Sequence, residues 1–168
     1  MTRVGLRNQL NEATKSNENS TAADWKDAFG QQTAQGFAEA FAEDIVLEAT
    51  TLNSPVQGRE KVKLIMAAAS RVYKSLQFTD AVSAGHKQYL EWMAEAYADI
   101  KFQGVTVLTR DATGSILHVA IHHRPLPAAM FFSELLGKSL RGVIDPEHFF
   151  FSGGSSDIKE KADDHRPG

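Results

Sequence analysis

The chain has 168 residues, of which 42% are hydrophobic and 23% are charged, and it contains no cysteine. This length and composition are typical of one globular domain with a substantial core. The lack of cysteine excludes disulfides, thiolate catalysis and cysteine-bound metals, and it suits the reducing cytoplasm in which we expect the protein. With 18 basic and 21 acidic residues and a formal net charge of -3, we expect neither nucleic acid nor membrane as a partner.

Two polar segments flank the predicted domain. Residues 1–20 are rich in Asn, Ser, Thr and Glu and contain no apolar segment of signal-peptide length, so we predict a flexible arm. Residues 152–168 are rich in Gly and Ser and then charged, which predicts a flexible tail. The ordered domain is therefore predicted to span residues 21–151.

Helical spacing of apolar residues dominates the first half of this domain. A first helix is predicted over residues 21–30, and Thr33 is a suitable cap for a second, short helix. The β-branched residues of segment 44–52 then predict a strand. Apolar residues at helical spacing predict a third helix over residues 59–75.

After residue 75 the apolar period changes from that of a helix to that of a strand. Alternation predicts four strands over residues 76–85, 87–98, 100–111 and 115–123. Pro125 ends the last strand, and a final helix is predicted over residues 126–140. The element order predicts an α+β domain in which a curved antiparallel sheet wraps around the N-terminal helices.

Three motifs in this order resemble the nuclear transport factor 2-like superfamily, which includes SnoaL-like polyketide cyclases and ketosteroid isomerases. They are FAEDIVLE at 41–48, PVQGRE at 55–60 and GVTVLTRDATGSILHVAIHHRP at 104–125. The resemblance covers most of residues 21–141. It implies a cone-shaped α+β fold, of cystatin-like topology, with a cavity inside the sheet. Because this fold carries many different activities, the resemblance does not by itself define a function.

The residues on which ketosteroid isomerases rely are replaced in this chain. The resemblance matches Trp25 to the tyrosine that donates to the oxyanion. It matches Ala49 to the proton-abstracting aspartate and Thr106 to the second oxyanion donor. Alanine cannot abstract a proton, so isomerisation by that arrangement is not expected. The resemblance therefore implies a cavity without supplying a mechanism.

Three histidines lie on the last predicted strand. Alternation puts Leu117, Val119, Ile121 and His123 on one face, and Ile116, His118, Ala120, His122 and Arg124 on the other. The first set is more apolar, so we assign it to the concave side, with His123 at the cavity rim and His122 on the convex surface. His118 and His122 share a face about 13 Å apart, too far for one zinc ion with Zn–N bonds of about 2.1 Å. We therefore predict no metal site.

The concave side is predicted to form a mainly apolar ligand pocket. We expect it to be lined by Trp25, Tyr73, Trp92, Phe102, Thr106, Leu108 and Ile121, with His123 as the candidate catalytic residue. His123 could act as an acid, a base or a ligand donor, or it could be a packed histidine with one satisfied nitrogen. Trp92 could stack on a planar ligand or fill the core, and Tyr73 could turn its hydroxyl into the cavity or pack in the core.

Two classes of function are open at this point. The first is a small-molecule protein that binds or converts an apolar ligand of polyketide, steroid or aromatic type, as an isomerase, cyclase or dehydratase. The second is a non-catalytic dimeric association module whose cavity is filled by side chains. Whether the protein is an enzyme stays open, and no cofactor is expected.

Two surface features bear on partners. The outer set Ile116, His118, Ala120 and His122 is mixed but still apolar, which predicts a homodimer through the convex sheet face. The aromatic segment 148–151 follows the last helix, where it could close the cavity mouth or pack on a neighbouring subunit.

Overall fold

The computed structural model describes residues 25–96 and 99–153. The predicted arm, the start of the first helix and nearly all of the predicted tail lie outside these residues. The helices are α1 (25–31), α2 (Ala34–Ala40), α3 (Arg59–Val72) and α4 (Leu126–Ser139), followed by a short 3-10 helix (Pro146–His148). The strands are β1 (Phe41–Ala49), β2 (Val56–Gln57), β3 (Tyr73–Ala84), β4 (Lys87–Ala96), β5 (Lys101–Arg110) and β6 (Ile116–Arg124).

Local chemistry explains where the first elements begin and end. Helix α1 runs one residue past Gly30, and Gln32 then takes a left-handed conformation with a φ of 54°. Thr33 caps α2 as predicted, since its hydroxyl oxygen accepts a hydrogen bond from the amide of Gly36 at 3.2 Å. Helix α3 ends earlier than predicted because Tyr73 already pairs with Ala96 of β4.

The six strands form one curved, open sheet in the order β2-β1-β6-β5-β4-β3. Strands β3 to β6 form an antiparallel meander, as predicted. Strand β1 departs from the wholly antiparallel expectation, since it runs parallel to β6 and antiparallel to β2. No hairpin joins β1 to β6, so no tight turn imposes an antiparallel direction on them. The sheet is therefore mixed, and the predicted α+β fold class is confirmed.

The main core lies between the inner face of this sheet and the helices. Helix α3 contacts α2, α4 and β1, while α4 contacts β5 and β6. Strand β4 shows strict alternation of exposed and buried residues along most of its length. Its buried side carries Trp92, and its exposed side carries Tyr89 and Met93. Among the described residues, no helix is both long and apolar enough to cross a membrane.

The predicted alternation fails at the start of β6. Ile116 pairs with Arg110 and His118 pairs with Thr109, so Leu117 is the extra residue of a bulge. Ile116 is fully buried in the core, although the uninterrupted alternation predicts it on the convex face. From Val119 onwards the predicted alternation holds, with Val119, Ile121 and His123 buried and His122 exposed.

The aromatic segment 148–151 packs on its own chain. Phe149 is buried beside Gly137 of α4, where a Cβ atom would lie 2.9 Å from the Phe149 Cβ. Asn53, in the loop after β1, donates from Nδ2 to the carbonyl oxygens of Phe149 at 2.9 Å and Glu147 at 3.2 Å. Phe149 therefore extends the core and does not close the cavity mouth.

Candidate functional site

A small cavity lies between the inner face of the sheet and helices α1, α3 and α4. Its volume is about 20 Å³, which is room for about one water molecule. The wall is mainly aliphatic and aromatic. Its side chains include Trp25, Phe29, Leu47, Ile65, Met66, Leu76, Phe78, Ile121, Phe132 and Leu136, with polar atoms from Thr51, Tyr73, Trp92, Thr106 and His123.

The structure brings most of the predicted pocket residues together. Trp25, Tyr73, Trp92, Thr106, Ile121 and His123 all line this cavity. Phe102 and Leu108 do not line it and lie elsewhere in the core. Phe102 is buried behind the rings of Tyr73 and Phe132, with centroid distances of 6.0 and 5.5 Å. Leu108 faces inward but lies opposite Gln88 and Val119, in a filled layer of the core further along β5.

Several wall residues escaped the prediction. Phe132 and Leu136 on α4 had a signal in the sequence, because they lie four residues apart on the apolar face of that helix. The signal marked them as buried without showing which cavity they meet. Ile65 and Met66 on α3 had the same kind of signal. For Ala49 the only signal was its match to the isomerase aspartate, and this position does line the cavity.

The wall carries one hydrogen-bonded pair of ionisable side chains, Tyr73 and His123. Tyr73 is the first residue of β3 and His123 lies near the end of β6. The Tyr73 hydroxyl lies 3.1 Å from His123 Nε2. His123 is buried, whereas His122 is exposed, which confirms the predicted orientation of the two neighbours. No other ionisable side chain lines the cavity among the described residues.

Both members of the Tyr73–His123 pair are uncharged at neutral pH. Burial lowers the pKa of His123 to about 4, and the nearby Ile121 carbonyl only partly opposes this fall. Burial of the hydroxyl raises the pKa of Tyr73 above its ordinary value, although part of its ring stays exposed. The pair therefore presents hydrogen-bonding groups without a net charge.

Packing holds the His123 ring in place. The rings of Trp92 and Phe132 lie against it, with centroid distances of 5.2 and 5.4 Å. Trp92 is itself held by a hydrogen bond from its Nε1 to the Thr106 hydroxyl at 3.1 Å. The backbone amide of His123 donates to the Thr50 hydroxyl at 3.1 Å. Few alternative positions are open to this imidazole.

Gly104 allows Trp92 to take this position. A Cβ atom on Gly104 would clash with Cζ2 of the Trp92 indole and would lie 2.5 Å from the backbone oxygen of His122. Gly104 and Trp92 are cross-strand partners on β5 and β4. The indole can occupy this position only because residue 104 is a glycine.

Two buried polar atoms of the wall residues have no hydrogen-bond partner among the described residues: Nε1 of Trp25 and Nδ1 of His123. The Trp25 indole packs among Phe29, Phe37 and Phe41, none of which offers an acceptor side chain. A buried N–H without a partner costs free energy, so such atoms mark places where a ligand atom would be stabilising. Within the part of the chain that is described, no cluster of His, Asp and Glu could hold a metal ion.

One side of the cavity is bounded by four residues that we term the mouth: Phe29, Tyr73, Leu76 and Phe78. These same residues also line an open groove outside, between α1 and β3. The Phe29 ring lies edge-on to Phe78, with centroids 6.3 Å apart. The mouth residues therefore lie between the cavity and the outer groove.

Comparison with solved structures identifies the fold. A cystatin-like protein from Silicibacter pomeroyi superposes with a TM-score of 0.69 at 16% identity, covering 73% of this chain and 86% of that one. A steroid delta-isomerase from Pseudomonas aeruginosa superposes with a TM-score of 0.67 at 20% identity, covering 74% of this chain and 91% of that one. A protein assigned as a SnoaL-like polyketide cyclase from Jannaschia sp. CCS1 superposes with a TM-score of 0.56 at 13% identity, covering 67% of this chain and 90% of that one.

Sequence comparisons add no closer relationship. No protein-family model matches the chain, and no curated protein matches it. The solved structures are similar in fold at low identity, and they include proteins named as nuclear transport factor 2-like, SnoaL-like and steroid isomerase. The chain therefore has the nuclear transport factor 2-like fold, as the resemblance of its three motifs implies.

Proposed function

We propose that the protein binds a small, mainly apolar molecule in this cavity, with a neutral polar group of the ligand directed to the Tyr73–His123 pair. The observation that carries the proposal is the placement of this uncharged pair on an otherwise apolar wall. Pockets of this kind take up apolar molecules and orient them with a few polar contacts. The similar fold of a steroid delta-isomerase and a SnoaL-like cyclase agrees with such a ligand.

The unpaired indole N–H of Trp25 favours a ligand with a hydrogen-bond acceptor. This donor is buried on the wall and has no partner in the described residues. Leaving a buried donor unpaired costs about 1–3 kcal/mol, and a carbonyl or ether oxygen in reach would recover part of that cost. A pure hydrocarbon would not.

A ligand larger than water enters only if the mouth opens. The cavity of about 20 Å³ is too small for a ring, so a ring must displace one or more mouth side chains. Phe29, Leu76 and Phe78 are only partly buried and face the outer groove, which leaves them room to turn outwards. We therefore propose that binding is coupled to rotation of these side chains.

Binding is better supported than base catalysis. A general base works best with a pKa near the working pH, and burial lowers the pKa of His123 to about 4. No carboxylate among the described residues lines the cavity to replace it. If the ligand is converted, for instance by an isomerase, cyclase or dehydratase reaction, we propose His123 as the acid/base group and Tyr73 as its positioning residue.

A matched pair of probes tests the proposal. Acetophenone and α-methylstyrene have nearly the same shape, but only acetophenone carries an acceptor oxygen. We expect acetophenone to raise the melting temperature in a concentration-dependent way, and to do so more than α-methylstyrene. Trp25→Phe and His123→Phe should reduce the difference, whereas His122→Phe, outside the cavity, should keep it. If neither probe shifts the melting temperature, the proposed ligand binding is wrong.

A further inference from the structure

The groove outside the mouth, between α1 and β3, has a volume of about 280 Å³. Its walls are the mouth residues together with polar residues of α1, α3 and β3. Two of these are lysines, Lys26 and Lys74, and none of the described lining residues is acidic. The cavity behind the mouth is uncharged, so the groove and the cavity differ in the ligand group that they favour.

The two lysines differ in the groups that their ammonium ions contact. Lys74 Nζ lies 3.0 Å from Glu95 Oε1 and 3.4 Å from Asp99 Oδ1, so its charge is already neutralised by carboxylates. Lys26 Nζ has no ion pair with any described residue. It lies 5.3 Å from the centroid of the Phe78 ring, in a cation–π contact. An ammonium group that has no ion pair within the described part of the chain therefore lies beside one wall of the mouth.

We propose that the ligand is an amphipathic carboxylate whose apolar body fills the cavity and whose carboxylate stays in the outer groove against Lys26. This inference rests on the proposed function, since it needs the cavity to accept the apolar body. Phe78 lines both spaces and contacts the ammonium group, so a molecule that passes the mouth beside Phe78 brings its outer end within reach of Lys26.

The charge distribution excludes the opposite orientation. A carboxylate inside the cavity would be desolvated and would meet no charged side chain among the described wall residues, which is unfavourable. In the groove the same carboxylate keeps contact with water and gains the attraction of Lys26. A ligand cation would be repelled by Lys26, whereas Lys74 is already paired with carboxylates.

The test compares acids and amides of equal length. The probes are 4-acetylphenyl alkanoic acids with two, three or four methylene groups, and the corresponding primary amides. The acetyl group keeps the acceptor of acetophenone, and only the outer end changes charge at pH 7.5. Isothermal titration calorimetry on the full chain would measure both affinities at low and at high salt.

We expect at least one acid to bind about two- to fivefold more tightly than its amide, as is usual for one exposed ion pair. High salt should reduce this preference. Lys26→Gln should abolish the preference and leave amide binding unchanged, and Lys26→Arg should retain it. Lys87→Gln, which removes an exposed lysine of β4 outside the groove, should have no effect.

The outcomes separate the two proposals. If the amides bind but no acid binds more tightly, or if Lys26→Gln leaves the preference intact, the amphipathic ligand is excluded while cavity binding stands. If neither acids, amides nor acetophenone bind, both proposals are wrong. A preference for acids that depends on Lys26 supports the inference.

Discussion

The hydroxyl of Tyr73 and Nε2 of His123, 3.1 Å apart, join the start of β3 to the end of β6 across the cavity wall. These strands lie at one edge and near the middle of the sheet, with β4 and β5 between them. The hydrogen bond therefore spans the concave side of the sheet instead of linking neighbouring strands. Because both groups are buried, losing this hydrogen bond would leave a polar atom without a partner, which costs free energy.

Removing this hydroxyl should destabilise the fold. Tyr73→Phe keeps the ring contacts with Trp92, Phe102 and Phe132 but leaves a buried imidazole nitrogen unpaired. We expect the free energy of unfolding in urea to fall by about 1–3 kcal/mol. Tyr89→Phe, on the exposed side of β4, should change it by less than about 0.5 kcal/mol. Equal effects of the two substitutions would contradict a structural role for the pair.

Acid should destabilise the protein through His123. Its pKa is 6.5 when unperturbed and about 4 when folded, so the unfolded chain binds more protons between these values. The free energy of unfolding must then fall as the pH is lowered from 6.5 towards 4. We expect His123 alone to account for a loss of about 2 kcal/mol between pH 7 and pH 4.5.

Urea titrations at the two pH values measure this loss in paired variants. His123→Gln should lack the His123-dependent part of the acid loss, while His122→Gln should retain it. A wild-type loss no larger than that of His123→Gln would show that the imidazole is not desolvated in the folded protein.

Gly104 should tolerate no side chain. In Gly104→Ala the new methyl group would clash with the Trp92 indole and the backbone of His122, which should cost about 1–3 kcal/mol. Gly30→Ala is a suitable control because no atom of residues 25–96 or 99–153 lies within 4 Å of the Cβ position, and alanine favours a helix. Thermal unfolding should therefore show a lower melting temperature for the first variant and an unchanged or higher one for the second.

We propose that the protein is a homodimer through the outer face of the sheet. Tyr89 and Met93 are 39% and 46% exposed there, and the neighbouring residues Val105, Val107 and Ala120 are only half-buried. Sedimentation at micromolar concentration should show a dimer, and Met93→Lys should shift it to monomer. Val143→Lys, at an exposed site after α4, should not. A wild-type monomer would exclude this assembly.

Alternation along a strand predicted more of the site than any single motif did. It placed His123 inside and His122 outside because a β-strand turns successive side chains to opposite faces. The same reasoning failed at Ile116. The bulge at Leu117 adds one residue to β6, so Ile116 lies on the face opposite to the predicted one. Nothing in the local sequence marks that bulge.

The sequence predicted the face of the sheet on which a residue lies better than it predicted whether that residue meets the cavity. Phe102, Thr106 and Leu108 all point inward from β5, yet only Thr106 reaches the cavity. Whether an inward side chain meets a cavity or another side chain depends on which helix residues lie above it. Those contacts join distant parts of the chain, and periodicity within one strand contains no information on them.

The parallel pairing of β1 with β6 has a consequence for how the protein folds. The Thr50 hydroxyl donates to the backbone oxygen of Ile121, 71 positions later in the chain, whereas β3 to β6 pair with their sequence neighbours. Closing so long a loop is entropically slower than forming hairpins. The apolar side chains of β1 and α3 that pack against β6 and α4 therefore stay uncovered until those later elements have been synthesised. During that interval the nascent chain exposes the very surface that later encloses the cavity, and it should be most dependent on chaperones then.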